Sequence, residues 1–301
     1  MPAQAIPARA VVLLAILTLV WGTNWPLFPI VLREMSVWTF RFVSLAAGGV
    51  LLLAVARWRG QSLAVPRRHW PVLVAAALAY LAVWNVASAY SAKLIPSGQA
   101  AVLGFTMPLW AALLAWAFMG QRLNARLLLA LGLGVASVGL LMSKSFAAYA
   151  DAPLGLGLGL LAAVGWAGGT LILKRWPIDV PATVLTGWQL LFTAVPIGVG
   201  TLLFADLSAP WPAWPTLALL AYITVVPMCI GNLCWFAIVG MLPANVAGLS
   251  SVAVPVVAML AGALVHGEPL GAAQWLAMVC SAAALWLTVV KPAGQRAPST
   301  V

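Results

Sequence analysis

Long apolar runs, separated by short polar or basic breaks, follow one another from one end of the chain to the other. Each run is about 20 residues long, the length at which an α-helix crosses roughly 30 Å of hydrocarbon. The runs are continuous, whereas the strands of a porin-type barrel would alternate between apolar and polar residues. The pattern predicts ten transmembrane helices, at residues 9–32, 36–56, 70–91, 97–118, 124–142, 154–173, 182–205, 213–238, 243–264 and 270–290.

The composition favours an all-α polytopic membrane protein. Of the 301 residues, 64% are hydrophobic and only 7% are charged, too few charges for a water-soluble fold of this length. The formal charge of +10 would suggest nucleic-acid binding in a soluble protein. Here the basic residues flank the apolar runs, so we expect contact with membrane lipids and no nucleic-acid partner. Cys229, Cys234 and Cys280 lie inside apolar runs and are interpreted as packing residues, so no metal or cofactor is predicted.

The basic residues also predict the orientation. Ten alternating crossings that start in the cytoplasm place eleven basic residues inside, at positions 9, 57, 59, 67, 68, 122, 126, 174, 175, 291 and 296. Only Arg33, Lys93 and Lys144 fall outside. This excess follows the positive-inside rule and predicts that both termini are cytoplasmic.

One stretch of the chain occurs twice, at residues 94–123 and 241–270, an offset of 147. The equivalent pairs are Pro96 with Pro243, Pro108 with Pro255, Gly120 with Gly267, Leu123 with Leu270 and, upstream, Asn85 with Asn232. Each unit would hold five helices, an odd number, so the second unit would cross the membrane upside down. The sequence therefore predicts a 5+5 inverted repeat, with units at 1–147 and 148–291 and a disordered tail at 292–301.

Three prolines are candidate hinges. Pro108 and Pro255 lie about halfway along the fourth and ninth predicted helices, and Pro26 follows Trp21-Gly22 in the first. Proline removes a backbone hydrogen bond, and in lipid the freed carbonyl needs a partner in protein or in a watery cavity. A static packing kink is the alternative, but a pair related by the repeat favours a transport path.

Aromatic and amide side chains are the candidate substrate-binding residues. Trp21 and its rough counterpart Trp166 each stand beside small residues and suit a cavity wall that stacks on an organic solute. Asn85 and Asn232 are the polar pair, because an amide at mid-depth must find a partner in another helix or in a ligand. Further candidates are Tyr80, Gln99 and Trp235. Core packing and structural hydrogen bonds are the alternatives for each.

Arg41 is the one basic residue well inside a predicted helix, about 8 Å from its outer end by helical rise. It could reach the interface, pair with Glu34, or bind a substrate carboxylate near the outer mouth. The acidic residues all fall at predicted helix ends or in loops, at positions 34, 151, 179, 206 and 268. Because proton-driven antiporters usually hold an intramembrane carboxylate as the relay, facilitated diffusion is the simpler expectation.

The chain resembles the EamA-type ten-helix members of the drug/metabolite transporter superfamily. The resemblance rests on the duplication, on Trp21-Gly22, on the paired prolines and on the exit Gly267-Glu268, which is Gly120-Gln121 in the first copy. It implies export of small metabolites such as amino acids, purines or drugs from the bacterial cytoplasm through the inner membrane. The chain looks most similar to YddG-type exporters of aromatic amino acids, threonine and methionine.

The leading hypothesis is therefore an alternating-access amino-acid exporter with a central cavity, which is not an enzyme. The alternative is an ion-coupled exporter of drugs, purines or other metabolites. A membrane enzyme would need clustered histidine or acidic residues near one interface, but His69 and His266 fall on opposite sides of the predicted topology. The sequence leaves the oligomeric state open, and a monomer is compatible with it.

Overall fold

The computed structural model describes residues 8–120, 125–143, 152–235, 244–268 and 270–289, and these residues form helices and turns without any β-strand. Seven helical stretches among them are long and apolar enough to cross a membrane, at Arg9–Val31, Val37–Trp58, Arg67–Leu94, Ser97–Phe118, Pro153–Leu173, Ala182–Phe204 and Trp214–Trp235. Shorter apolar helices lie at Leu128–Ser137, Val254–His266 and Ala272–Ala284. The predicted all-helical polytopic class is confirmed, while ten crossings in two inverted units stay a prediction.

Thirteen α-helices are described within those ranges: α1 Ala8–Gly22, α2 Leu27–Val31, α3 Val37–Trp58, α4 Trp70–Ala76, α5 Val83–Leu94, α6 Ser97–Gly104, α7 Met107–Met119, α8 Ala125–Ser143, α9 Pro153–Arg175, α10 Ala182–Phe204, α11 Trp214–Ile223, α12 Ala244–His266 and α13 Ala272–Val289. Helix α3 packs along α10, and α5 packs along α9. Helix α1 lies against α12, and α8 lies against α13. Each of these pairs joins a helix from before residue 147 to one from after it.

Two of the predicted helices are broken into two pieces. The first predicted helix is interrupted by the turn at 23–26, and the fourth by Phe105 and Thr106. Pro108 follows the second break, and without an N–H it cannot bond to the carbonyl four residues earlier. The Thr106 hydroxyl donates to the Leu103 carbonyl at 2.6 Å and so supplies a hydrogen bond to one of the carbonyls at the break. Pro255, by contrast, lies buried inside the continuous helix α12.

Two segments of π-helix were not expected from the sequence. Ala77–Ala82 joins α4 to α5, and Thr224–Ile230 continues α11 towards a last helical turn at 231–235. They begin 147 residues apart (77 and 224), the offset found in the sequence. Asn85 and Asn232 follow these segments closely along the chain. Segments of π-helix loosen the hydrogen-bond ladder and are frequent at functional sites.

Two glycines end helices at equivalent positions of the duplicated stretch. Gly120 follows α7 and Gly267 follows α12, and both have φ of +65°. Glycine adopts this left-handed conformation without a steric penalty, so it stops the helix and turns the chain. Gln121, which follows Gly120, lies outside the described residues.

Glu268, directly after Gly267, joins the end of α12 to the start of α6. One carboxylate oxygen accepts hydrogen bonds from the backbone N–H and the hydroxyl of Ser97, both at 2.7 Å. The other oxygen accepts from the Gly98 N–H at 3.0 Å. The first N–H groups of a helix lack partners within the helix, and a negative charge there is favourable. Glu268 therefore caps a helix that lies 170 residues away in sequence.

We expect Glu268→Ala to lower the unfolding temperature of the detergent-solubilised protein clearly, and Glu268→Gln to lower it less. Hydrogen bonds to a charged group contribute about 1.5–3 kcal/mol, and glutamine keeps one acceptor oxygen. Thermal unfolding followed by circular dichroism measures the effect.

Asp206→Asn is the matched control for this measurement. Asp206 also accepts bonds from a serine, the Ser208 N–H at 2.9 Å and its hydroxyl at 2.6 Å, but only within its own exposed loop. We expect this variant to leave the unfolding temperature nearly unchanged. Equal shifts in Glu268→Ala and Asp206→Asn would contradict a role of Glu268 in joining α12 to α6.

Candidate substrate-binding cavity

A cavity lies where the interrupted helices meet. The volume open to the centre of a water molecule is about 80 Å³, and one water needs about 10–15 Å³ on this measure, so there is room for several. Its aromatic lining comprises Trp21, Trp25, Phe28, Trp84, Phe105 and Trp166. Its polar lining comprises Asn24, Arg41, Asn85 and Asn232. An apolar cavity with a few convergent polar groups is typical of a small-molecule site.

Irregular backbone forms much of the cavity wall. Asn24 and Trp25 lie in the turn between α1 and α2, and Phe105 lies between α6 and α7. Pro227 and Met228 belong to the second π-helical segment. At membrane depth, such backbone is tolerated where it lines a cavity or is buried in protein. The breaks in the helices thus form part of the cavity wall.

Trp84 lies at the centre of the aromatic lining. Its ring meets the Trp166 ring with centroids 4.8 Å apart and the Trp25 ring with centroids 6.1 Å apart, both edge-on. Gly104 makes room for this cluster, since a Cβ there would lie 3.1 Å from Trp84 and 3.3 Å from Trp25. Sequence reasoning missed Trp84, although a tryptophan deep in an apolar run was the signal that identified Trp21.

Trp21 connects the first part of the chain to the second. Its indole N–H donates to the Pro227 carbonyl at 3.0 Å, and its ring meets the Trp166 ring at 6.1 Å, almost perpendicular. A side chain at Gly231 would collide with the indole. Trp235 packs against Trp21 with ring centroids 5.9 Å apart but is absent from the lining. It therefore supports Trp21 from behind.

Both predicted asparagines lie in the cavity wall. The Asn232 amide donates to the Met228 carbonyl at 2.5 Å, one turn earlier in the same helical stretch. This bond uses the nitrogen end of the amide and orients the side chain. Asn85 is 3% exposed, and its backbone carbonyl accepts a hydrogen bond from Arg41 at 2.8 Å.

Arg41 lies in the cavity wall. It is 2% exposed, so it does not reach the interface. Its Nη2 lies 3.3 Å from the Ser88 hydroxyl, and its guanidinium carbon lies 4.2 Å from the centre of the Phe28 ring. Glu34, the partner considered from the sequence, instead accepts a hydrogen bond from the Ala213 N–H at 2.6 Å. This position does not fit the first two interpretations of Arg41, because the side chain is buried and Glu34 binds elsewhere. Binding of a substrate carboxylate stays a prediction.

The remaining candidates are Gln99, Tyr80, Pro26 and Pro108. Gln99 is buried in α6, and its side-chain oxygen has no hydrogen-bond partner among the described residues. Tyr80 belongs to the first π-helical segment, but its side chain lies outside the described part. Pro26 lies in the turn before α2, where its carbonyl is 2.5 Å from Nε2 of His266. Pro108 follows the break before α7.

The EamA-like transporter family model matches the chain twice, at residues 8–143 and 153–290. The "Uncharacterized transporter YvbV" of Bacillus subtilis is 26% identical over 295 residues, which cover 98% of this chain and 96% of that protein. The "Uncharacterized inner membrane transporter YedA" of Escherichia coli is 27% identical over 267 residues, which cover 87% of this chain and 84% of that protein. Protein PecM of Dickeya dadantii is also 27% identical, over a stretch that covers 86% of this chain and 85% of that protein.

One solved crystal structure has the same fold. It superposes on 92% of this chain and 96% of its own with a TM-score of 0.67, at 23% sequence identity. At this identity the likeness supports the helical architecture alone.

Proposed function

Because this chain belongs to the EamA-like transporter family, we propose that it exports amino acids from the bacterial cytoplasm through the central cavity. The chain is a multi-pass transporter of the bacterial inner membrane and not an enzyme. The proposed cargo is that of YddG-type exporters, namely aromatic amino acids, threonine and methionine. The proposed mechanism is alternating access without an ion gradient.

The observation that carries this proposal is a cavity walled by both family-matched segments. Trp21, Trp84 and Asn85 come from the first segment, and Trp166 and Asn232 come from the second. A solute bound between two units faces one side of the membrane or the other as the units rock against each other. A cavity between the two segments therefore supports the proposal of alternating access.

The lining suits an amino acid with an apolar or aromatic side chain. Trp84 and Trp166 offer ring faces and edges for stacking. The amides of Asn85 and Asn232 offer polar atoms for the ends of the solute. The described lining residues include no carboxylate that could serve as a proton relay. This disfavours the alternative of an ion-coupled exporter.

Structural coincidences at one offset support the proposed inverted units at 1–147 and 148–291. The two π-helical segments and the two helix-ending glycines are each 147 residues apart. In this arrangement Pro26, Pro108 and Pro255 act as hinges. The break beside Pro108 and the interruption at Pro26 each separate two helical pieces, which supports this role.

Counterflow in proteoliposomes tests the proposed function. Vesicles are loaded with unlabelled amino acids, and the entry of trace labelled phenylalanine, threonine and methionine is followed without any ion gradient. We expect transient accumulation that excess unlabelled amino acid abolishes. No accumulation of any of the three by folded protein would contradict amino-acid export, and uphill export driven by an imposed pH gradient would contradict the facilitative mechanism.

Trp166→Ala and Asn232→Ala should each lower the initial counterflow rate at low solute concentration by about tenfold or more. A loss of about 1.4 kcal/mol of solute binding corresponds to a factor of ten. Trp58→Ala is the matched control, because Trp58 is 85% exposed at the end of α3, far along the helix from Arg41. Wild-type rates in both cavity variants, at equal expression, would remove these residues from the site.

A further inference from the structure

We infer that Arg41 binds the carboxylate of the transported solute, so that the cavity requires a free carboxylate and can dispense with the ammonium group. This inference rests on the proposed function of the same cavity and specifies the chemical group that it recognises. It extends the class of ligands from amino acids to other aromatic monocarboxylates.

The first argument is the position of the charge. Arg41 is buried at 2% exposure in a helix that is long and apolar enough to cross the membrane, and it is part of the cavity lining. Taking a charge out of water is costly unless it gains a partner. Ionisable residues within membrane helices therefore mark binding or transport functions by default.

The second argument is that the described surroundings of Arg41 are neutral. Its Nε donates to the Asn85 carbonyl, its Nη2 to the Ser88 hydroxyl, and its guanidinium carbon lies 4.2 Å from the Phe28 ring centre and 4.6 Å from that of Phe40. Carbonyl dipoles and ring faces stabilise a cation without cancelling its charge. These contacts hold the guanidinium in place as a fixed positive charge.

The described carboxylates are all engaged or exposed elsewhere. Glu34 binds a backbone N–H in the loop before α11, and Glu268 caps α6. Asp206 binds a serine in its own loop, and Asp179 is exposed in the loop between α9 and α10. An anion entering the cavity therefore meets a positive charge that no described acidic side chain neutralises.

The third argument is the geometry of the guanidinium. It is planar and carries five N–H donors that match the two oxygens of a carboxylate. The bonds to Asn85 and Ser88 use two of these donors. With a carboxylate at Arg41, the rest of a small solute would extend among the aromatic rings of the same cavity.

The same electrostatics predict that the ammonium group of the solute contributes less to binding affinity than its carboxylate does. An ammonium group in the cavity would be repelled by Arg41 and would find amide oxygens but no described carboxylate among the lining residues. Asn24 and Asn232 can accept its hydrogen bonds, which makes a zwitterion acceptable. Removal of the ammonium charge should therefore cost less affinity than removal of the carboxylate.

A ligand series on the unaltered protein tests this order. Binding to purified protein in detergent is followed by quenching of tryptophan fluorescence, since four tryptophans line the cavity and the Trp166 ring contacts those of Trp21 and Trp84. We expect phenylalanine, N-acetylphenylalanine and 3-phenylpropionate to bind, and phenylalaninamide to bind at least about tenfold more weakly. Equal binding of phenylalanine and its amide, or no saturable binding of any carboxylate, would overturn the inference.

The series separates the inference from the proposed function. Binding of N-acetylphenylalanine and 3-phenylpropionate without counterflow of any amino acid would contradict amino-acid export but support carboxylate recognition. Counterflow of phenylalanine that the amide inhibits as strongly as phenylalanine does would support export but overturn the role of Arg41.

Variants of Arg41 provide the second test. Arg41→Gln should abolish the preference for phenylalanine over its amide, whereas Arg41→Lys should keep part of it because the charge remains. Arg33→Gln is the matched control, since it makes the same change at an exposed arginine outside the cavity. A folded Arg41→Gln protein that binds N-acetylphenylalanine as tightly as the unaltered protein would overturn the inference; if it does not fold, the ligand series alone decides.

Discussion

The need to satisfy every backbone polar group within lipid governs this structure. A helix meets that need by itself, and any departure from the helix must be compensated by protein or by a cavity. Three of the described departures gather at one place: the turn at 23–26, the break at Phe105 and Thr106, and the π-helical segment Thr224–Ile230 all adjoin the same cavity. The indole of Trp21 compensates one of them by donating to the Pro227 carbonyl. The backbone constraint and the binding site are thus two aspects of one arrangement.

The duplication appears in the structure as matching local features with unequal surroundings. The π-helical segments and the positive-φ glycines recur at 147 residues, yet the chain is broken before Pro108 and continuous through Pro255. Glu268 caps α6 with a full negative charge, whereas the first copy carries the neutral Gln121 at that place. The two copies need not be identical in detail, because each has a different neighbour to pack against.

The cavity combines an aromatic lining with one fixed cation and several amides. The rings of Trp84 and Trp166 contact each other closely and hold each other in place. Arg41 is oriented by bonds to α5, on the neighbouring wall. Preorganised groups of this kind lower the entropy that a solute must give up on binding.

The sequence by itself determined the membrane class, the approximate positions of the helices and the identity of four lining residues. Apolar length is a local property, and Trp21, Asn85, Trp166 and Asn232 were recognisable because each is out of place in an apolar run. The family resemblance, carried by short motifs such as Trp21-Gly22, was likewise readable from the chain and is confirmed by the family match.

Only the tertiary structure decided the rest, because it depends on which helices meet. Trp235 is in the right helical stretch but packs behind Trp21, and Trp84 joins the site through its contact with a ring 82 residues away in sequence. Glu34 is one heptad from Arg41, yet the chain carries it to the Ala213 N–H instead. Arg41 instead lies in the cavity wall and bonds to α5. The partners of a buried charge are set by packing between distant segments and not by spacing along one helix.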